Sequence, residues 1–287
     1  MNFGCQSMVG RIERVLVKHP AAAYVNSEKL RAEWEGLNYY GCPDYDEAVR
    51  EFESFIDLLN RFVPEIHYLP ENDRVSVDSI YVHDSVIITK RGALLCNMTR
   101  EQRRGEPAAM EAFLPDIGIP IVGTISGEGR LESGDLVWLD ERTLAVGKGC
   151  RSNAEGIRQL RELLADLIDE LIVVDLPAPV FHLMGIISLI DRDLAVINSA
   201  LLPASFRQLL INRGFKLLAV PASESKTLAC NILTLAPRQC ILLSGNPQTE
   251  RMLQDEGVAV WTYSGAEISL KGSGGPACLT RPLLRCV

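Results

Sequence analysis

The 287-residue sequence predicts an α/β fold built from repeated β-β-α-β units. Short apolar runs rich in Val, Ile and Leu, of a length typical of strands, recur along the whole chain. Amphipathic segments that begin with helix-capping residues separate these runs. The order of strands, helix and paired strands recurs about five times, whereas a wound parallel sheet alternates strand and helix more regularly.

The predicted strands are short segments in which apolar residues alternate with polar ones or run continuously. In chain order they are residues 14–17, 65–68, 79–89, 93–96, 120–123, 136–139, 143–146, 171–174, 194–197, 216–220, 231–235, 240–243 and 259–263.

The predicted helices lie between these strands. Residues 45–62 carry apolar side chains close to a 3.6-residue period and begin with acidic residues, which suit the positive end of the helix dipole. A capping box at 152–155 precedes a helix that extends to Leu167. The remaining helices are 106–114, 201–212 and a segment from Asn246-Pro247 to Gly257.

Composition indicates one globular domain, residues 1–287. The chain is 47% hydrophobic and 23% charged, and no Gly/Ser run, Pro-rich spacer or block of like charge divides it. The net charge of −8 disfavours a nucleic-acid partner and would attract a small cation. Neither a signal-like N-terminus nor a continuous apolar stretch of membrane length occurs, so we expect a cytoplasmic protein without a membrane partner.

Neither a metal nor a cofactor is expected. None of the eight cysteines forms a C-x-x-C pair, which is the common signature of a zinc site. Gly127 and Gly129 lack the strand and helix that flank a nucleotide-binding loop.

Three residues together suggest attack on a guanidinium carbon. Cys278 follows a glycine-rich bend, His182 precedes an apolar run, and Glu132 opens a predicted strand. Alone, Cys278 would more often be a small buried side chain, and His182 is equally consistent with a core histidine. Together they provide a thiol nucleophile, an acid/base and a carboxylate that can hold a cation.

Other charged residues could complete such a site. Asp78 and Asp84 are six residues apart in an apolar segment, which would place both on one face of an extended strand. Asp135 shares a tight turn with Glu132. Arg103 and Arg151 have the forked guanidinium that suits an α-carboxylate, although an arbitrary arginine is more often surface charge.

The chain resembles the guanidino-group-modifying enzymes of the pentein superfamily, and most closely the short bacterial dimethylargininases. The similarity covers essentially the whole chain in order. It is carried by Gly41-Cys42-Pro43-Asp44-Tyr45, Asp78-Ser79-Ile80-Tyr81-Val82-His83-Asp84, Arg103-Arg104-Gly105-Glu106, Glu132-Ser133-Gly134-Asp135, Arg151-Ser152-Asn153-Ala154-Glu155-Gly156, His182-Leu183 and Cys278.

The resemblance implies a five-bladed α/β propeller, a small guanidino substrate and a role for each site residue. Cys278 would be the nucleophile, His182 the acid/base and Glu132 the group that binds the guanidinium and orients His182. Asp84 would hold the guanidinium nitrogens with Asp78 nearby. Arg103 and Arg151 would contact the substrate carboxylate, and residues 30–40 would form a mobile lid.

Two positions depart from the pattern of this superfamily. Met184 stands where arginine deiminases and amidinotransferases typically have aspartate, and Ser133 stands where glycine is common. Methionine is apolar and adaptable, so it fits a methylated nitrogen but does not identify the substrate. The expected reaction is hydrolysis of Nω-methylated or dimethylated arginine to citrulline and an amine.

The alternatives are an arginine deiminase or dihydrolase, an amidinotransferase, or a non-catalytic binding protein of the same fold. Retention of Cys278, His182, Glu132 and Asp84 argues against the binding protein. The sequence leaves open a homo-oligomer, the motion of the lid and the biological pathway.

Overall fold

A computed structural model describes residues 2–178 and 180–286. These residues form five three-stranded sheets. In every sheet the middle strand pairs antiparallel with one neighbour and parallel with the other. The parallel pair needs a long crossover, and a helical segment provides it in each case. The predicted β-β-α-β repeat is therefore confirmed, and the sheets are the five blades of an α/β propeller.

The described residues form fifteen strands, three in each sheet. The sheets contain β15 (Arg281–Cys286), β1 (Arg11–Val17) and β2 (Glu65–Tyr68); β3 (Val86–Thr89), β4 (Gly92–Leu95) and β5 (Ile121–Thr124); β6 (Leu136–Trp138), β7 (Thr143–Lys148) and β8 (Glu170–Asp175); β9 (Ile187–Asp191), β10 (Leu194–Ile197) and β11 (Lys216–Ala219); β12 (Leu233–Ala236), β13 (Gln239–Leu243) and β14 (Ala259–Tyr263).

The helices lie in the crossovers, each between the second and third strand of its unit. They are α1 (Pro20–Ala23), α2 (Ser27–Glu33), α3 (Tyr45–Leu59), α4 (Glu106–Phe113), α5 (Ala154–Leu163), α6 (Ala204–Asn212) and α7 (Pro247–Asp255). The five predicted helices correspond to α3 through α7, while the sequence pattern does not predict α1 and α2. No helix of the described residues is both long and apolar enough to cross a bilayer.

The two ends of the chain close the ring. β15 pairs antiparallel with β1, with Arg11 opposite Cys286 and Leu16 opposite Arg281. The sequence pattern does not predict β15, because its residues Arg-Pro-Leu-Leu-Arg-Cys interrupt the apolar run with charge and proline. It also misses β9, which lies inside the apolar run after His182. That residues 1–287 form one domain stays a prediction.

The strand predicted at 79–89 is wrong over its first half. Residues Val77–Ile80 form a 3₁₀ turn, and only Val86–Thr89 is extended. Asp78 and Asp84 therefore do not share one face of a strand, and tertiary contacts determine their positions. The capping box at 152–155 is also corrected, because Asn153 caps α5 by accepting the N–H of Gly156.

Glu51 of α3 fixes the segment that leads to the glycine-rich bend before Cys278. Its buried carboxylate accepts the backbone N–H groups of Ala266, Glu267 and Ile268, at the start of a single π-helical turn, Ala266–Leu270. Unpaired N–H groups at a buried helix start are costly, so one side chain satisfies the donors that the turn leaves open.

We expect Glu51→Ala to lower the free energy of unfolding by about 2–4 kcal/mol, because three N–H groups lose their acceptor. Glu53→Ala is the matched control, since Glu53 is exposed on the same helix and should change stability by less than about 0.5 kcal/mol. Urea unfolding of both variants measures the difference. Equal stabilities would contradict the role assigned to Glu51.

Candidate active site

Five polar residues occupy equivalent positions in five different units. Asp84 precedes β3, Glu132 precedes β6, His182 precedes β9, Asn231 precedes β12 and Cys278 precedes β15. Each lies just before the first strand of its β-β-α-β unit. Because the units repeat around one ring, equivalent positions in the units converge, although their sequence separations reach far beyond any local motif.

Glu132 and His182 form the central pair. Glu132 is 0% exposed, and its Oε2 accepts from His182 Nε2 at 2.8 Å and from Arg151 Nη1 at 2.8 Å. Its other oxygen, Oε1, accepts the backbone N–H of Thr99 at 3.0 Å. A buried carboxylate with three donors is fully compensated, which holds the imidazole ring in one orientation.

Asp84 supplies a second carboxylate on the other side of the imidazole. Its Oδ1 lies 3.9 Å from His182 Nδ1 and has no hydrogen-bond partner in the part of the chain that the structure describes. Its Oδ2 accepts from Arg103 Nη1 at 2.7 Å. A buried carboxylate oxygen without a donor is costly, so Oδ1 is suited to accept a hydrogen bond from a bound cation.

Gly134 permits this close arrangement. A Cβ atom there would lie 2.6 Å from Asp84 Oδ1 and 2.8 Å from His182 Cγ.

Asp135, the next residue, accepts the N–H of Leu183 at 3.0 Å and the hydroxyl of Ser152 at 2.6 Å. Burial raises the pKa of Asp135 to about 6, although His182 and Ser152 oppose that rise. Asp135 thus anchors the backbone that carries His182.

The structure changes the expected role of Arg103. Its guanidinium is buried and bonds to Asp84, to both oxygens of Glu106 and to the carbonyl of Tyr81. Burial raises the pKa of Glu106 to about 7 despite the opposing charge of Arg103. These bonds engage Arg103 inside the protein, where it holds Asp84 Oδ2.

Two other arginines border the site. Arg151 bonds to Glu132 and lies 5.4 Å from the ring centre of Phe181. Arg100, which sequence reasoning missed, donates to the carbonyl of Leu37 at 2.8 Å and is only partly exposed. Burial, followed by the charge of Arg151, lowers the pKa of Arg100. The sequence motif that drew attention to this segment is Arg103-Arg104, and Arg100 lies outside it.

Asp78 lies at the edge of this charged group. Its buried Oδ2 is 3.7 Å from Arg100 Nη1. Burial raises the pKa of Asp78, and Arg103 and Arg100 limit that rise. Asp78 therefore faces the two arginines, which places it near but not within the Asp84–His182–Glu132 cluster.

Cys278 is placed by its backbone and by Asn231. Its carbonyl accepts the N–H of His83, the neighbour of Asp84, and its half-buried Sγ accepts from Asn231 Nδ2 at 3.1 Å. The same amide accepts the N–H of Ala277 through Oδ1 at 3.2 Å. Sequence reasoning missed Asn231, because an isolated asparagine at a strand start carries no signal of its own.

The glycine-rich bend before Cys278 fits around one aromatic ring. A Cβ at Gly274 would lie 2.2 Å from the ring of Tyr81, and one at Gly272 would lie 2.0 Å from the Tyr81 hydroxyl oxygen. Tyr81 donates that hydroxyl to the carbonyl of Ile268 at 3.1 Å. These glycines serve close packing, which explains their occurrence before the thiol.

The charges set the protonation states. Burial opposes a charge on His182, but Asp84 and the hydrogen bond to Glu132 outweigh it and raise the pKa of His182 to about 9. Burial also opposes ionisation of Asp84 and Glu132, yet contacts with His182 and the arginines hold both carboxyl pKa values below their usual range. Burial, followed by the nearby Asp84, raises the pKa of the Cys278 thiol to about 12. At neutral pH the cluster is therefore an imidazolium between carboxylates, beside a protonated thiol.

The same three groups have the geometry of a metal-ligand set. One ligand atom each from Asp84, Glu132 and His182 lie within 4.8 Å of one another. Both carboxylates already bond to arginines, and these guanidinium groups would repel a divalent cation. A planar monovalent cation suits the arrangement better, and the absence of a metal requirement stays a prediction.

Met184 is buried in the apolar cluster that also contains Ala277, the neighbour of Cys278. The position at which other superfamily members typically have an acid is thus filled by an apolar side chain. Position 184 therefore contributes no carboxylate.

Comparisons with known proteins place the chain in a family. Residues 43–285 match the family described as N,N dimethylarginine dimethylhydrolase, eukaryotic. The N(G),N(G)-dimethylarginine dimethylaminohydrolase of Pseudomonas aeruginosa is 28% identical over 243 residues, which are 85% of this chain and 91% of that protein. An arginine deiminase of Listeria monocytogenes is 24% identical over 249 residues, with 71% of this chain and 60% of the deiminase covered.

A solved structure supports the same fold. The dimethylarginine dimethylaminohydrolase of Pseudomonas aeruginosa, as a cysteine-to-serine mutant complexed with citrulline, superposes with a TM-score of 0.77 at 23% identity. The superposition covers 94% of this chain and 99% of that chain. Because its residues 43–285 match the family model, the chain belongs to the N,N dimethylarginine dimethylhydrolase family of the pentein superfamily.

Proposed function

We propose that this protein hydrolyses Nω-methylated or dimethylated arginine to citrulline and methylamine or dimethylamine through a covalent intermediate on Cys278. The observation that carries the proposal is the buried Oδ1 of Asp84, which has no partner among the described residues. This oxygen lies 3.9 Å from His182 Nδ1, and the preceding residue, His83, bonds to the carbonyl of Cys278. A guanidinium N–H is a donor of the right charge for that oxygen. The dimethylarginine dimethylaminohydrolase of Pseudomonas aeruginosa, as a relative, supports the same substrate class.

Binding of the cationic substrate prepares the nucleophile. Asp84 and Glu132 would hold the guanidinium by charge-assisted hydrogen bonds. The substrate's positive charge would stabilise the Cys278 thiolate and offset the burial that keeps the free thiol protonated. The thiol proton leaves to solvent as the cation enters.

The chemical steps then use His182 twice. The thiolate of Cys278 forms an S–C bond to the guanidinium carbon, and the C–N bond to the substituted nitrogen breaks. Protonated His182 donates its proton to the departing amine, which leaves a thiouronium on Cys278. Neutral His182 next takes a proton from water. The resulting hydroxide attacks the carbon, the S–C bond breaks, and the proton of the added hydroxyl passes to the departing thiolate as citrulline is released.

Arg151 and Arg100 are the candidates for binding the substrate carboxylate, since both border the site; Arg100 is partly exposed, and the buried Arg151 lies against Glu132. This assignment replaces the one expected for Arg103. Residues 30–40, which include part of α2, stay the proposed lid. The cytoplasmic location and a homo-oligomeric state stay predictions as well.

An arginine deiminase is the second candidate, because a deiminase from Listeria monocytogenes is among the relatives. The apolar Met184 favours the methylated substrate, since the deiminases typically place an acid there to bind an unsubstituted nitrogen. A non-catalytic role is disfavoured, because a binding protein would have no need of a protonated imidazole fixed between buried carboxylates.

We expect Cys278→Ser to abolish turnover, because a hydroxyl with a much higher pKa cannot replace the thiolate. Cys42→Ser is the matched control, since Cys42 is a second half-buried thiol at the edge of the same apolar cluster. Citrulline formation by the two variants measures the effect. A Cys278→Ser enzyme that makes citrulline at the wild-type rate would refute the covalent mechanism.

A substrate panel of arginine, methylated arginines, agmatine and small guanidino acids identifies the reaction. We expect kcat/KM to be at least about tenfold higher for a methylated arginine than for arginine, since an added methyl group in an apolar pocket contributes this much. Ammonia release from arginine as the main reaction would instead identify a deiminase. Activity on agmatine but on no amino acid would overturn the roles of Arg151 and Arg100.

Alkylation measures the state of the free thiol. Because the pKa of Cys278 is raised to about 12, its thiolate fraction at pH 7 is small and rises about tenfold with each pH unit. The rate of its reaction with iodoacetamide, followed by mass spectrometry of the Cys278 peptide, should therefore increase steadily from pH 7 to pH 10. A plateau near pH 7 would mean that a thiolate exists before substrate binds, which contradicts substrate-assisted activation.

A further inference from the structure

A small cavity lies outside the catalytic cluster, between the N-terminal segment, β9, β12 and β15. The space inside it is about 20 Å³, which is room for one water molecule or one ion of similar size. The mechanism uses none of the polar residues that line it. They are Cys5, Ser7, His83, Ser188, Thr234, Arg281 and Arg285.

Two arginines dominate the charge of this cavity. Arg281 and Arg285 are four residues apart on β15, so their side chains point to the same face of the strand. They are only 6% and 8% exposed, respectively. Arg281 donates to Ser133 Oγ at 2.8 Å and to the carbonyl of Val86 at 3.2 Å. Arg285 donates to the carbonyl of Gly10.

Neither arginine has an ionic partner among the residues that the structure describes. Over residues 2–178 and 180–286, the other buried arginines each pair with a carboxylate: Arg14 with Glu65, Arg103 with Asp84 and Arg151 with Glu132. No such pair forms with Arg281 or Arg285 across those ranges. Two buried cations without a counter-ion are costly, so a bound negative charge would stabilise Arg281 and Arg285.

The remaining groups of the cavity do not supply that charge in full. His83 accepts from Arg281 through Nε2 and donates to the carbonyl of Thr280 through Nδ1. Burial, followed by the charge of Arg281, lowers the pKa of His83 to about 3, so the ring is neutral. Burial lowers the pKa of Arg285 to about 10, which still leaves it charged at neutral pH. Cys5 Sγ lies 3.9 Å from Arg281 Nη2, and its thiol donates to the carbonyl of Ser7.

One hydroxyl adds a donor. Ser7 Oγ accepts the N–H groups of Val9 and Gly10, at 3.1 and 2.9 Å, so its own proton is available to a third group. Ser188 and Thr234 use their protons on the carbonyls of Cys230 and Leu189. The available donors therefore come from Ser7 and the two guanidinium groups.

We propose that this cavity binds one small monovalent anion of the chloride class, held between Arg281 and Arg285 with Ser7 as a further donor. A halide accepts hydrogen bonds and donates none, which matches a cavity lined by two guanidinium groups and a hydroxyl. The cavity is close to the size that holds one water molecule, so a small monovalent ion suits it better than phosphate, sulfate or a carboxylate. The anion would be structural, because β15 closes the ring and carries both arginines.

The test compares thermal stability in sodium chloride and in sodium gluconate at constant ionic strength, because gluconate cannot enter the cavity. For the wild type, Tm should rise by about 3 °C for each tenfold increase in chloride above Kd. Arg285→Met should lose this dependence. Arg14→Met is the matched control and should keep it, since Arg14 is a buried arginine with its own carboxylate.

Crystals grown in sodium bromide give an independent readout that needs no variant. An anomalous peak between Arg281 and Arg285 supports the proposal, and its absence overturns it. A chloride dependence that is equal in the wild type and in Arg285→Met also overturns it. A third result would also overturn the proposal: the Tm of the wild type does not depend on chloride, and Cys5→Ser is strongly destabilised. Cys5 would then be the internal counter-ion.

Discussion

The site depends on two carboxylates buried on either side of one imidazole. Asp84 and Glu132 could not remain ionised at this depth without cations, and Arg103, Arg151 and His182 provide them. The same attraction keeps His182 protonated. A single electrostatic arrangement therefore holds a protonated imidazole between two carboxylates and leaves one oxygen of Asp84 without a donor among the described residues.

The propeller supports this concentration of charge from several sides. Each residue of the candidate site precedes the first strand of its own unit, so five sheets hold the side chains from five directions. Gly134 removes a Cβ that would collide with both Asp84 and His182. The carboxylate of Glu51 and the ring of Tyr81 shape the chain that leads to Cys278. Rigid support of this kind fixes the orientation of reacting groups better than a mobile loop does.

Sequence patterns predicted the core elements because burial imposes a period on them. The helix at α3 and the strands at β7 or β13 follow from the spacing of apolar residues alone. The same rule failed at residues 79–85, where an apolar composition belongs to a 3₁₀ turn and not to a strand. It also failed at β15, whose arginines point into a cavity at positions where a pattern of burial expects apolar side chains.

The sequence by itself determined the repeated β-β-α-β architecture and the family resemblance, because residue type and order carry that information. It also singled out Cys278, His182, Glu132 and Asp84 as candidate site residues. Only the tertiary structure decided that Arg103 is committed to Asp84 and Glu106 and that Asn231 holds the thiol. The physical reason is that a charged side chain acts through its partners. Those partners come from other units of the ring, at separations that no local pattern records.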